Sequence, residues 1–242
     1  MVMSKLASKR ASSGTTSRMP GRTSSRTTRG YHHGNLRQAL LEAALELAEL
    51  KGPAGVSVRE AARRLGVSPA APFRHFPNRR ALMTALAAEA SERLRIEVRK
   101  AMTREQGNAL ARLRAVGRGY MQWARRHPSH FRIISARDEI DLTGSPTLLH
   151  NIQEVRELTE QALHAGQAEG SITDRHDAAA LALLARATVY GLARMQIDDH
   201  FGQWGVASAA VPAAVDAILD LLIDLMATQA PPPVKRRGAE RD

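Results

Sequence analysis

Residues 57–82 read SVREAARRLGVSPAAPFRHFPNRRAL, and the fold turns on how they are parsed. Ser57 followed three residues later by Glu60 is a capping box. The Ser57 side chain is set to accept the Glu60 N–H while Glu60 reaches back. A helix therefore starts at Ser57. Leu65-Gly66-Val67 makes a three-residue turn, because Gly66 adopts positive φ at no steric cost. A short second helix is expected after Ser68, and Asn78 stands where it can cap a third. A capped helix, a glycine turn and a short second helix are the parts of a helix-turn-helix. Ala61 and Ala62 are small enough for the second helix to cross close to the first. The competing parse is an ordinary helical hairpin inside a bundle. Charge argues against it: Arg59, Arg63, Arg64, Arg74, His75, Arg79 and Arg80 crowd this stretch, and a core hairpin does not need them.

The second helix is unusual. Its sequence, SPAAPFRHF (68–76), carries two prolines. Pro69 is harmless at the first position after a Ser68 cap, where no N–H is needed. Pro72 removes a bond to the Ser68 carbonyl and biases Ala71 away from helical geometry. The expectation is an irregular or 3₁₀-like first turn, with regular helix only around Pro72–Phe76. Ala70, Ala71 and Pro72 can touch only apolar groups such as thymine methyls. Arg59 and Arg74 are the polar candidates for base readout, since arginine pairs bidentately with guanine; the alternative is that each only neutralises phosphate. Free N–H groups at the first turn after Ser57, and in the same way at Ser68, can hold a phosphate. Phe76 reads as core, whereas Phe73 fits either the core or a DNA sugar.

Beyond this stretch the chain stays helical, with no run of alternating β-branched residues, so an all-α protein is expected. Helices are placed at about 35–51, from Asn78 to about 102, and near 107–126, 128–138, 146–169, 176–200 and 208–229. In the last, Val215, Ile218, Leu219, Leu222, Leu225 and Met226 form a stripe wider than one neighbour needs, with Asp216, Asp220 and Asp224 on the opposite side. That width favours a homodimer through the last two helices over simple closure of a monomer core.

The chain has 242 residues, no cysteine and a net charge of +11. Absent cysteine excludes disulfides and thiolate metal sites and fits a reducing cytoplasm. The charge is uneven. Residues 1–29 hold seven basic residues and no acid, and 31–85 hold eight basic and four acidic; 86–230 come out slightly acidic. A basic end on a near-neutral body suggests a polyanion-binding module joined to a body with another task. The organisation expected is a disordered basic arm (1–29), a helix-turn-helix domain (30–85), a ligand-binding and dimerisation domain (86–230) and a disordered tail (231–242). The arm can thread a minor groove or coat phosphates; its composition also fits a transit peptide or a solubilising tail. No apolar run reaches membrane-spanning length, the best candidate stopping at Arg186, so no membrane is expected.

The residues now carry a resemblance. VSVREAARRLGVSPAAPFRHFPNRRALMTAL (56–86) resembles the DNA-binding domain of TetR/AcrR-type transcriptional regulators. GYHHGNLRQALLEAALELAE (30–49) resembles the first helix of one branch, and YMQWARRHPSHFRII (120–134) two helices of the ligand domain. That branch often carries Trp-His-Gly where Val189-Tyr190-Gly191 stands here. The resemblance implies a homodimer of two N-terminal readers on helical ligand domains, about nine helices per chain. A small-molecule inducer would swing the helix after Asn78 and move the readers off a palindromic double-stranded DNA operator. It implies phosphate contacts from His75 and from Arg79, which replaces the family's usual Lys, and loss of one anchor where Phe73 replaces Tyr. Pocket candidates are Tyr120, Met121, Trp123, Phe131, His150, Tyr190 and Met195, with His127 and His130 as further polar tips; each aromatic or Met also reads as plain core.

A repressor is thus the expected function, with no cofactor. No Ser-His-Asp order, paired-carboxylate motif, phosphate loop or metal-ligand spacing points to an enzyme or a metal site. The alternative is a sequence-independent architectural DNA binder, which would not need a near-neutral domain of that size.

Overall fold

The computed structural model describes residues 35–228. The expected basic arm and tail, with His32 and His33, lie outside the described residues. Among those described, the chain runs through α1 (Leu36–Lys51), α2 (Val58–Leu65), a 3₁₀ recognition turn (Ala71–Arg74), α3 (Arg79–Arg104), α4 (Ala109–Arg126), α5 (Pro128–Ser135), α6 (Pro146–Ala168), α7 (Ala178–Ile197) and α8 (Val211–Met226). The all-α class holds; among these residues the one extended pairing is an isolated bridge between Ile172 and Ala227.

Local chemistry sets the helix starts. Asn35, Ser57, Asn78, Asn108 and Ser145 each accept, through the side chain, the N–H three residues on. Each such cap satisfies a donor that the first turn leaves orphaned and is worth about 1 kcal/mol. The last helix is shorter than expected at both ends, Val211–Met226 rather than 208–229, and α5 stops at Ser135 rather than 138. Ala136, at φ −80° and ψ 65°, breaks it before a 3₁₀ turn at Arg137–Glu139.

Three buried clusters make the core. Leu40, Leu47, Ala61, Phe76, Leu82 and Leu86 anchor the first, and Ile133, Ile140 and Leu148 from later segments complete it. Phe76 is core, as its apolar setting predicts. The second gathers Leu94, Val98, Trp123, Phe131, Val189 and Leu219; the third joins α4, α6, α7 and α8 around Leu113, Leu163, Leu181 and Met226. The 26-residue α3 contributes to both of the first two clusters, so the boundary expected at 85/86 falls inside one continuous helix. Its crossing with α4 is close at Gly119: a Cβ there would lie 3.1 Å from Val98 Cα and 3.2 Å from Glu97 O.

Two expectations need correction here. Asp216 and Asp220 of α8 do not simply line a free face: they pair with Arg118 and Arg114 of α4. And α7 as a whole is long and apolar enough, by length and hydropathy, to cross a membrane, although it carries Arg186 mid-length and contributes Leu181, Ala185, Val189 and Ala193 to the core.

Candidate nucleic-acid interface and interior cavity

The first site is built on α1, α2 and the recognition turn. The Glu60 N–H donates to Ser57 Oγ at 3.1 Å, and Gly66 closes α2 at φ 66°, both as the sequence requires. The reciprocal half of the capping box does not form. Glu60 turns instead to Arg63, whose Nε and Nη2 donate to it at 2.9 and 2.7 Å, with Lys51 3.7 Å away. The Arg63 hydrogen bond holds the Glu60 carboxyl down at about 2, so it stays ionised. The two free N–H groups at the start of α2 therefore face no competing side chain from Glu60.

The recognition turn is 3₁₀ from Ala71 to Arg74, and no side chain caps it. The irregular turn is thus present, but the regular helix expected at Pro72–Phe76 is not. The reason is positional. Pro72 falls at the second residue of the turn, where its missing N–H has no partner to lose, and the Ser68 carbonyl accepts from Ala71 N–H instead. This also overrides the bias against helical geometry at Ala71. The Pro72 carbonyl accepts from both His75 and Phe76 N–H at 2.9 Å, which ends the turn. Pro72 itself is buried, so its ring does not face a groove; this overturns its expected place among the apolar base contacts. Ser68 and Ala70 are exposed and Ala71 half-buried. Phe73 is 37% exposed, which removes the core alternative for that ring.

The cations of this region divide into two groups. Arg63 is held by Glu60, Arg64 by Glu46 at 3.2 Å, and Arg80 donates to Ile140 O at 3.1 Å. Arg79 is held most firmly: it donates to Val56 O at 2.8 Å and Pro53 O at 2.9 Å and pairs with Glu139. Any phosphate contact by Arg79 has to compete with these three partners. Arg59, Arg74 and His75 are exposed and, among the described residues, bonded to none. Ser57, Arg59 and the exposed recognition-turn residues thus form the surface that remains free to meet a polyanion.

The second site is a cavity of about 540 Å³ walled by α3, α4, α6, α7 and α8. Its walls are mostly aliphatic, including Leu94, Val116, Val155, Val189, Leu219 and Leu222. Of the expected pocket residues, Tyr120 and Tyr190 line it. Met121, Trp123 and Phe131 are buried in the core instead, Met195 packs half-buried against it, and His150 is on the surface 3.6 Å from Glu154. His127 and His130 stack edge to face 5.2 Å apart, away from the cavity walls. Burial, with Arg93 nearby, pushes His130 down to about 4, so it is a neutral core group at physiological pH.

Sequence reasoning missed the polar groups that do line the cavity. Asn151 is almost fully buried and donates to Ala88 O and Ser91 Oγ, leaving its carbonyl oxygen unused. Ser135 Oγ is buried with no hydrogen-bond partner. Arg186 donates from Nη1 to the Tyr120 hydroxyl at 2.8 Å, and its guanidinium lies 5.0 and 5.1 Å from the centroids of the Tyr120 and Tyr190 rings. A signal existed for two of these. Asn151 sits on the same helical line as Leu148, Val155 and Ala162, and Arg186 is the lone charge between Ala178 and Ala193.

With the reader and the cavity both in place, the comparisons decide the family. The family of bacterial regulatory proteins of the tetR type matches residues 40–86, and the tetracyclin repressor-like C-terminal domain matches 113–226. The chain belongs to the TetR family. No curated protein matches it. A protein of unknown function from Rhodococcus sp. RHA1 is similar at 31% identity and a TM-score of 0.69, over 83% of this chain and 100% of that one. A bacterial regulatory protein in the tetR family from Rhodococcus RHA1 shares the fold at 17% identity and a TM-score of 0.64, over 80% and 98% of the two chains. The ketosteroid transcriptional regulator KstR2 of Mycobacterium tuberculosis does so at 16% and 0.57, over 80% and 95%. TetR-family proteins are DNA-binding transcriptional regulators that answer to small molecules and act as dimers, and this chain is one of them.

Proposed function

We propose that this protein is a cytoplasmic repressor that binds a palindromic operator as a dimer and leaves it when a small molecule fills the cavity. The carrying observation is the division of cations in the reader. Four arginines are tied to the protein's own acceptors, while Arg59 and Arg74, on α2 and the recognition turn, are left for DNA. In this reading Ser57 and the start of α2 hold a phosphate, with His75 and Ser68 as further backbone contacts. Ala70, Ala71 and Phe73 press against the groove, and the arginines supply base readout. The seven basic residues of the N-terminal arm add counterion release.

The dimer reading rests on α7 and α8. Leu183, Leu184, Leu221 and Leu225 are large apolar side chains left exposed on them, whereas Val215, Leu219, Leu222 and Met226 close the monomer core. Two such helices per subunit suit a four-helix interface. A two-fold dimer then presents its readers to half-sites about one helical turn apart, roughly 34 Å. Effector binding acts only through differential affinity for the DNA-bound and free states, so operator DNA must weaken the effector by the same factor.

The test is selection of duplexes by the purified full chain, followed by comparison of the selected and a random duplex at physiological salt. A repressor prefers the selected sequence by about a thousandfold or more, with two-fold symmetry in the site. A ratio near one supports a sequence-independent architectural binder instead.

A further inference from the structure

We infer that the cavity takes an amphipathic carboxylate, its apolar body among the aliphatic walls and its carboxylate on Arg186. This rests on the reading of the cavity as the effector site and narrows it to a chemical class. About 540 Å³ of mostly aliphatic wall suits a body the size of a medium acyl chain or a fused ring system.

Four arginines line the cavity: Arg114, Arg137, Arg156 and Arg186. Arg114 is paired with Asp220, and Arg156 with Glu160 at 3.6 Å. Arg137 and Arg186 have no carboxylate partner among the described residues. A cationic ligand is repelled by such a wall and a neutral acceptor gains only hydrogen bonds from it, whereas an anion gains the charge pairing as well.

The Tyr120 and Tyr190 rings and the Tyr120 hydroxyl hold the Arg186 guanidinium in place, and only one of its five N–H donors is occupied by that hydroxyl. The remaining donors form the planar fork that a carboxylate meets with two parallel bonds. Tyr120 reinforces this. Its hydroxyl accepts from Arg186 and keeps its own proton to donate, and burial raises its pKa, so the proton stays on at neutral pH. Arg186 is exposed, which puts the carboxylate at the mouth and the apolar body inside.

The test uses the full chain loaded with Nile red, a neutral apolar dye. Decanoate and 2-naphthoate compete against it, each alongside its methyl ester. At least one acid is expected to displace the dye at a concentration about tenfold below that of its ester, as a bidentate charge-assisted pair at the mouth allows. Arg186→Gln is expected to abolish that advantage by weakening the acid alone. Tyr120→Phe, which keeps the ring, is expected to weaken the acid about threefold. Esters that match or beat both acids overturn the class while leaving the cavity an effector site. A loss in Arg186→Gln that falls equally on acid and ester, or that accompanies dissociation of the dimer, overturns the role of Arg186. A wild-type chain that does not take up Nile red overturns the effector site itself and this inference with it.

Discussion

The arginines of the reader and those of the body are arranged on opposite principles. Around the body they are matched to carboxylates: Arg95 and Arg99 meet on Glu154, Arg114 and Arg118 reach Asp220 and Asp216, and Arg194 sits 2.5 Å from Asp198. In the reader, Arg63, Arg64, Arg79 and Arg80 are tied to the protein's own acceptors, while Arg59 and Arg74 have no partner among the described residues. Exposed pairs contribute little stability individually. Their use in the body is to cancel charge, so that the field of the molecule is concentrated at one end. At the cavity, Arg137 and Arg186 have no carboxylate partner among the described residues, a condition they share elsewhere on the body with Arg104, Arg125, Arg132 and Arg175. What sets Arg186 apart is its place on a cavity wall between two tyrosine rings.

The comparison breaks first at the reader. The double variant Arg59→Ala/Arg74→Ala is expected to lower affinity for the selected operator a hundredfold or more, at roughly 1–3 kcal/mol for each base contact. Fluorescence anisotropy on selected and random duplexes reads both the loss and its sequence dependence. A uniform loss over all duplexes would make these residues phosphate clamps.

The body's charge logic is probed through pH. His130 is a base held near 4 in the folded chain against about 6.5 unfolded. Above pH 6.5 both states are neutral and the group has no effect. As pH falls from 6.5 toward 4 the unfolded chain takes up a proton that the folded chain refuses, so stability drops by up to about 3 kcal/mol. Denaturant melts across this window should show the loss, and His130→Gln should flatten it.

Two smaller effects separate packing from charge. Gly119→Ala pushes a methyl onto the α3 backbone, which cannot yield as a side chain would, and is expected to cost about 2 kcal/mol in chemical unfolding. Removing the inward tie of the reader should cost less. Arg79→Met is expected to destabilise by about 1.5 kcal/mol, through two lost charge-assisted bonds to carbonyls. Glu139→Gln, which removes only a partly exposed ion pair, should cost about 0.5 kcal/mol or less. Operator affinity that falls sharply in Arg79→Met with folding intact would return this residue to the DNA interface.

Much of this was legible in the sequence because it is local. The caps at Ser57 and Asn78, the turn at Gly66 and the helical period depend on residues a few positions apart. The recognition turn was half legible. Two prolines announce irregular backbone, but whether Pro72 faces DNA or the core depends on where α1 and α2 lie around it. The site residues divide the same way. Tyr120 and Tyr190 were found by type. Trp123 and Phe131 have the same type but opposite placement, since an aromatic ring looks alike in a core and in a pocket wall. Arg79 shows the limit most clearly: its partners are two carbonyls some 25 positions upstream and a glutamate 60 downstream, and carbonyls carry no side-chain identity to read.

That choice of partners has an evolutionary consequence. Because Arg79 grips the backbone at Pro53 and Val56, substitutions in that loop leave its acceptors unchanged as long as the chain keeps its path. Drift is open to the exposed Ala54, whereas Gly52 at φ 72°, Gly55, whose added Cβ would lie 2.4 Å from Lys51 Cβ, and the buried Val56 keep the path itself. Selection on the joint falls instead on Arg79, the one side chain through which both carbonyls are held.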